Sequence, residues 1–163
     1  MKKTDNKLIY ILCTVAAICA ICAVCALCIP REAKIGEFTP PAFDENAKVG
    51  VPTVAETMGY TELYKEGMTY KVSLCGVPSA GDRALTVFFT SPETNEKYLK
   101  LRVFDSEGNV LGDTGIIRPG EYVEEVKLTE SPSSGDSIKL KIMGYEPETY
   151  ESAGSVTLNV TVG

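Results

Sequence analysis

The chain has 163 residues, with 16 Lys and Arg against 22 Asp and Glu, a formal charge of −6, and neither His nor Trp. The missing imidazole excludes serine and cysteine hydrolases that rely on a histidine base, and sortase-like transpeptidases with them. The acidic balance argues against nucleic acid and anionic lipid as partners, because both require a basic footprint.

Residues 1–7 carry Lys2, Lys3 and Lys7 against Asp5 and read as a basic cytoplasmic stub. Residues 8–29, LIYILCTVAAICAICAVCALCI, hold no charge. As a helix they would be about 33 Å long, enough for a bilayer core of about 30 Å. One N-terminal transmembrane helix is therefore expected, a signal-anchor rather than a cleaved signal or a lipidated cysteine. Cleavage after Ala26 fits Val24-Cys25-Ala26 on size, but the apolar core is longer than a secretory signal uses. Bulky residues precede every cysteine, against the small one lipidation needs. The positive-inside rule places the stub in the cytoplasm and the rest outside. Residues 31–163 carry thirteen Lys and Arg against twenty-one Asp and Glu, formally −8.

Five of the six cysteines lie in this stretch, leaving Cys75 alone downstream, so the exported part is not a disulfide scaffold. Cys19, Cys22, Cys25 and Cys28 come close to an iron–sulfur spacing. On a helix, residues three apart step back about 60° each time, so the four cannot converge on one cluster. Small residues four apart, Ala16 with Ala20 and Cys19 with Ala23, instead allow close helix packing and self-association in the membrane.

Residues 30–59 read as a Pro-containing stalk or lead-in, since Pro40, Pro41 and Pro52 break regular structure. Phe38, Phe43, Val49 and Val51 are available to lie on the domain, and residues 51–54 are a candidate edge strand. From residue 60 to 163 the period becomes two, broken by turn residues, with no amphipathic helix of three turns. Met68, Tyr70, Val72 and Leu74 alternate with polar residues. Residues 78–82 read as a turn. Leu85, Val87 and Phe89 share a face, as do Leu99, Leu101 and Val103. Residues 105–109 read as a hairpin loop returning through Val110 and Leu111. Val126 and Leu128, then Ile138, Leu140 and Ile142, then Val156, Leu158, Val160 and Val162 complete the alternation. About seven or eight strands so spaced predict an all-β fold, an immunoglobulin-like or jelly-roll β-sandwich.

Three clusters are candidates for chemistry. Asp105, Glu107 and Asn109 alternate like the start of a calcium loop, but Gly108 and Ile116 stand in the wrong places for an EF-hand. They are either a local cation site or a polar hairpin tip. Tyr145, Glu146, Glu148 and Tyr150 form the densest unusual patch, either a loop that contacts sugar or protein or one whose rings pack back on the sheet. Lys139, Lys141 and Asn159 fall on outward faces, which disfavours a buried Lys–Asn isopeptide crosslink. No catalytic residue and no cofactor are expected.

The stretches PPAFDENA (40–47), YLKLRVFDSEGNVLGDTGIIRPGEYVEEVKL (98–128) and KIMGYEPETYESAGSVTLNVTV (141–162) resemble small exported proteins of Gram-positive, Firmicutes-like bacteria. Such proteins join one N-terminal membrane segment to a single β-sandwich. The resemblance implies a cell-membrane location with the C-terminal domain extracytoplasmic, and names no activity. The expectation is a non-enzymatic surface module for contact with other envelope proteins, such as an accessory of a secretion, conjugation or pilus-like assembly. The alternative is a polysaccharide-binding module that uses the loop from Tyr145 to Tyr150.

Overall fold

The computed structural model describes residues 10, 11, 14–16 and 39–163, and the chain divides into two compact units, Met1–Thr39 and Pro40–Gly163. In the first unit residues 10, 11 and 14–16 are helical, and Thr14 Oγ1 lies 2.8 Å from the carbonyl oxygen of Ile11 and 3.0 Å from that of Tyr10. Ala16 is helical, whereas Cys19, Ala20, Ala23 and the basic stub lie outside the described residues. Most of the expected span over 8–29 does too, and among the described residues no helix is long and apolar enough to cross a membrane.

The second unit is built of strands. These are β1 (Lys48–Val49), β2 (Tyr60–Leu63), β3 (Val72–Cys75), β4 (Ser79–Gly81), β5 (Ala84–Thr90), β6 (Tyr98–Phe104), β7 (Val110–Asp113), β8 (Glu121–Lys127), β9 (Ser137–Tyr145) and β10 (Ser152–Thr161). One sheet runs β1-β8-β5-β3-β2 with β4 paired to β5, and the other runs β10-β9-β6-β7. All strand pairs are antiparallel. The two sheets bury one shared cluster, so the all-β expectation holds as a β-sandwich-like fold of two antiparallel sheets.

Alternation explains which side chains enter that cluster. On β5, β6 and β9 every second residue is fully buried: Leu85, Val87 and Phe89, then Leu99, Leu101 and Val103, then Ile138, Leu140 and Ile142. On β5 the register against β8 steps from Thr86↔Glu125 to Phe89↔Val123, which leaves one extra residue on β5. Phe88 absorbs it in the left-handed region at φ 49°. Such a bulge sharpens the local twist while keeping Phe89 on the inner face.

Four sequence expectations change. The stretch 78–82 is more than a turn, because Ser79–Gly81 pairs with Thr86, Leu85 and Ala84 as a hairpin arm. The run from Met68 is a strand only over Val72–Cys75. The edge strand of the lead-in is Lys48–Val49 rather than 51–54, a stretch without regular structure that precedes a short 3₁₀ turn at Glu56–Met58. The side chains of Val49 and Val51 do not pack on the domain; these residues are 85% and 81% exposed. Phe43 does, through a bridge to Ile116.

Two close approaches set the packing between elements. A Cβ on Gly115 would overlap the backbone of Phe43 and Asp44. In its absence the Gly115 N–H donates to Asp44 Oδ2 at 2.7 Å. At Gly144 on β9 a Cβ would overlap the ring of Tyr70. The Tyr70 hydroxyl lies 3.3 Å from the carbonyl oxygens of Ile142 and Gly154, and burial raises its pKa. Gly144→Ala should therefore destabilise the unit by about 1–3 kcal/mol, the usual cost of overpacking. Urea titration read by intrinsic Tyr fluorescence would measure it, and Tyr70→Leu in the same chain should recover part of the loss.

Candidate functional site

The outer face of the four-stranded sheet concentrates charge of the unexpected sign. Because Leu99, Leu101 and Val103 point into the core, Tyr98, Lys100, Arg102 and Phe104 point out on β6. The same alternation on β9 turns Lys139, Lys141, Met143 and Tyr145 outward. The register then sets Tyr98 opposite Tyr145, Lys100 opposite Met143, Arg102 opposite Lys141 and Phe104 opposite Lys139. Asp113 of β7 lies opposite Arg102, while Thr157 and Asn159 of β10 lie opposite Lys141 and Lys139. Four cations thus share a face with one carboxylate, on a portion of chain that is acidic overall.

Asp113 serves two of those cations. It accepts from Arg102 Nη2 at 2.9 Å and from Lys100 Nζ at 3.0 Å. Among the described residues no carboxylate lies within ion-pair distance of Lys139 or Lys141. Lys139 Nζ donates to the Ser106 carbonyl, at 3.2 Å. Like charges directly opposite across a strand pair are destabilising, and Arg102 with Lys141 is such a pair.

An aromatic row bounds the face at one end. Arg118 sits 3.7 Å above the centre of the Phe43 ring, a cation–π contact. Phe43 meets Tyr98 edge-on at 5.3 Å between ring centres, and Tyr98 meets Tyr150 at 6.1 Å. Tyr150 stands in the left-handed region at φ 56°, unusual for a bulky residue. Its N–H bonds the Glu146 carbonyl at 2.9 Å, which closes the loop.

In the patch of Tyr145, Glu146, Glu148 and Tyr150, all but Glu148 make local contacts. Glu146 pairs with Lys97 at 2.6 Å, the Tyr145 hydroxyl lies 3.8 Å from Met143 Sδ, and Tyr145 and Tyr150 are half-buried. Glu148 is exposed. At the β6–β7 hairpin, Asp105 Oδ1 accepts the N–H groups of Gly108 and Asn109 at 2.7 and 2.8 Å, and Oδ2 accepts the Asn109 amide at 2.7 Å. That set, led by the Asn109 amide, holds the Asp105 carboxyl below its usual pKa. The carboxylate ties the loop from within, while Glu107 is exposed. Among the described residues no group of three or more His, Cys, Asp or Glu is arranged to hold a metal ion. Lys139, Lys141 and Asn159 sit on the outer face as expected, Asn159 exposed opposite Lys139.

The cationic face escaped the sequence reading although its outward residues did not. The missing signal was that β6 and β9 are neighbours, a non-local pairing that alternation alone does not give. Compared with protein-family models, with curated proteins and with solved structures, the chain finds no match in any of the three.

Two measurements check this electrostatic picture. Burial pushes the Asp113 carboxyl up, but the hydrogen bonds and charges of Arg102 and Lys100 outweigh it and hold the pKa below 3.8. A depressed carboxylate contributes stability above its unfolded value and loses it as pH falls through the folded value. The melting temperature should accordingly drop on acidification from about pH 5 to about pH 3, and less steeply in Asp113→Asn. Burial pushes the Cys75 thiol up to about 11, which leaves roughly one thiolate in a thousand at pH 8. Maleimide labelling of the native chain at that pH should therefore be the same in Cys75→Ala, with the difference of one label emerging only in denaturant.

Proposed function

We propose that the chain is a non-catalytic module of the bacterial envelope. Its N-terminal segment anchors it in the membrane, and its four-stranded sheet docks an acidic face of another envelope protein. The observation that supports this most is the sharing of one carboxylate by Lys100 and Arg102 while Lys139 and Lys141 have none. A cationic patch whose charges are left uncompensated gains from meeting a complementary surface, in association rate and in orientation. The flat grid of a sheet suits a protein surface better than a concave ligand site. A long phosphate polymer is disfavoured by the −8 of residues 31–163.

The strand order also favours the immunoglobulin-like alternative over the jelly-roll. Reading β3, β5, β6, β7, β8, β9 and β10 as strands A, B, C, C′, E, F and G puts A-B-E in one sheet and C′-C-F-G in the other. In that frame β1, β2 and β4 are additions to the first sheet. The polysaccharide alternative draws less support, since the Tyr150 ring that would meet sugar is half-buried and packs at a tilt against Tyr98.

Zero-length carbodiimide coupling in the producing cells joins a lysine only to a carboxylate that touches it. Mapped by mass spectrometry, intermolecular products should concentrate on Lys100, Lys139 and Lys141 and fall at least about five-fold when Arg102 and Lys141 are both changed to Gln. Products confined to lysines elsewhere on the chain would sink the reading. Binding to isolated envelope polysaccharide that is lost in Tyr150→Ala would favour the alternative.

A further inference from the structure

Strands at the edges of a sheet expose unpaired N–H and C=O groups, and proteins blunt them by shortness, charge, proline or cover. Among the described residues four of the five edge strands, β1, β2, β4 and β7, are managed in that way, β4 by having three residues. β1 has two residues. β2 has four, with Glu62 paired to Lys71. β7 has four, with the Leu111 carbonyl taken by the Thr129 N–H and hydroxyl.

β10 is different. It is ten residues long, SAGSVTLNVT, without a charge or a proline, and among the described residues β9 is its only strand neighbour. Its start is blocked: the register shifts between Ser152 and Ser155, Gly154 takes φ 97°, and the Ala153 and Gly154 carbonyls are met by the Thr69 and Tyr70 hydroxyls. Residues 155–161 have no such cover. Their pattern is regular, with Val156, Leu158 and Val160 only partly buried against the core and the polar residues between them exposed.

We propose that this edge pairs with the same edge of a second copy, antiparallel about Leu158, so that the two four-stranded sheets join into one of eight strands. The sequence is self-complementary under that two-fold. Leu158 meets its own copy, Val156 meets Val160, Thr157 meets Asn159 and Ser155 meets Thr161. Each apolar residue faces an apolar one, each polar residue a polar one, and no charge meets a charge. Pairing completes the burial of the three half-covered aliphatic side chains and satisfies the outward backbone groups. An uncharged strand carries little to orient an unrelated partner, whereas its own copy fits it residue by residue. The acidic balance of the chain opposes the approach, so salt, which screens that repulsion, strengthens the contact. Docking of an acidic partner on the outer face responds to salt in the opposite sense, and the two surfaces fail or stand independently.

The experiment uses the full chain in dodecyl maltoside, with sedimentation velocity for size and hydrogen exchange for location. Thr157→Lys/Asn159→Lys places like charges opposite each other twice across the two-fold, as does Thr157→Glu/Asn159→Glu. Both positions are exposed on the outer face, and circular dichroism melting confirms that each variant folds. The wild-type chain should dimerise, with amides of residues 155–161 gaining protection as its concentration rises. Each variant alone should associate at least about ten-fold more weakly and lose that protection. A one-to-one mixture of the lysine and glutamate variants should regain both. A wild-type chain that stays monomeric, a dimer whose residues 155–161 gain no protection, or a mixture that regains nothing would each overturn the proposal.

Discussion

Everything on the candidate face depends on how the chain crosses between the two sheets at residues 114–117. β7 belongs to one sheet and β8 to the other, so this stretch must change layers without leaving backbone groups unpaired. Ile117 settles beside β6, exchanging N–H···O bonds with Leu99 at 3.0 and 2.8 Å and putting its side chain in the core. Thr114 Oγ1 accepts the Leu101 N–H at 3.0 Å. Ile116, fully buried on the other side, pairs with the lead-in: its N–H donates to the Ala42 carbonyl and its own carbonyl accepts from Asp44. The crossing therefore recruits residues 42–44 as a bridge strand, which is why the compact unit starts at Pro40. Arg118, the next residue along, is delivered onto Phe43, and Phe43 onto Tyr98. The aromatic row at the end of the cationic face is thus a consequence of the layer change.

That dependence separates what the residues disclose in order from what they disclose only once folded. Period-two alternation identified the buried sides of β5, β6, β9 and β10, because each is long enough for the pattern to repeat and each has one face in the core. The hairpin at 105–109 was equally plain, since Asp105 caps a loop that Gly108 turns at φ 96°. Ser79–Gly81 hid inside turn-like residues, as three residues of small side chain carry no period. Lys48–Val49 hid because its partner, β8, lies some seventy residues on. The Asp44–Gly115 bond is likewise a contact between segments that nothing local couples.

The same distinction governs the site. Lys100, Arg102, Lys139 and Lys141 were each legible as outward residues of their strands, and looked like ordinary solvated positions. Only the pairing of β6 with β9 turns four separate lysines and arginines into one patch with a single carboxylate. Conversely, the loop from Tyr145 to Tyr150 drew notice by its density of Tyr and Glu. Folding spends those groups locally, on Lys97, on Met143 and on the Tyr98 ring. Dense composition is a weak guide to display because aromatic and charged side chains in a tight loop find each other first.

The two surfaces bear on one another through geometry. A two-fold that keeps Leu158 opposite Leu158 with both side chains turned toward the core must run perpendicular to the joined sheet. It therefore leaves both cationic faces on the same side. Joining two copies would double the uncompensated charge presented to a partner and keep both copies' Asp113 away from the middle, since Asp113 lies on β7, the strand farthest from the seam. An acidic partner spanning the seam could then engage both copies, its second contact being effectively intramolecular. Strong pairing in solution would be a liability for a strand so free of charge, because a more apolar edge of this length aggregates. The alternating Thr157, Asn159 and Thr161 keep β10 on the soluble side of that limit while leaving its backbone open.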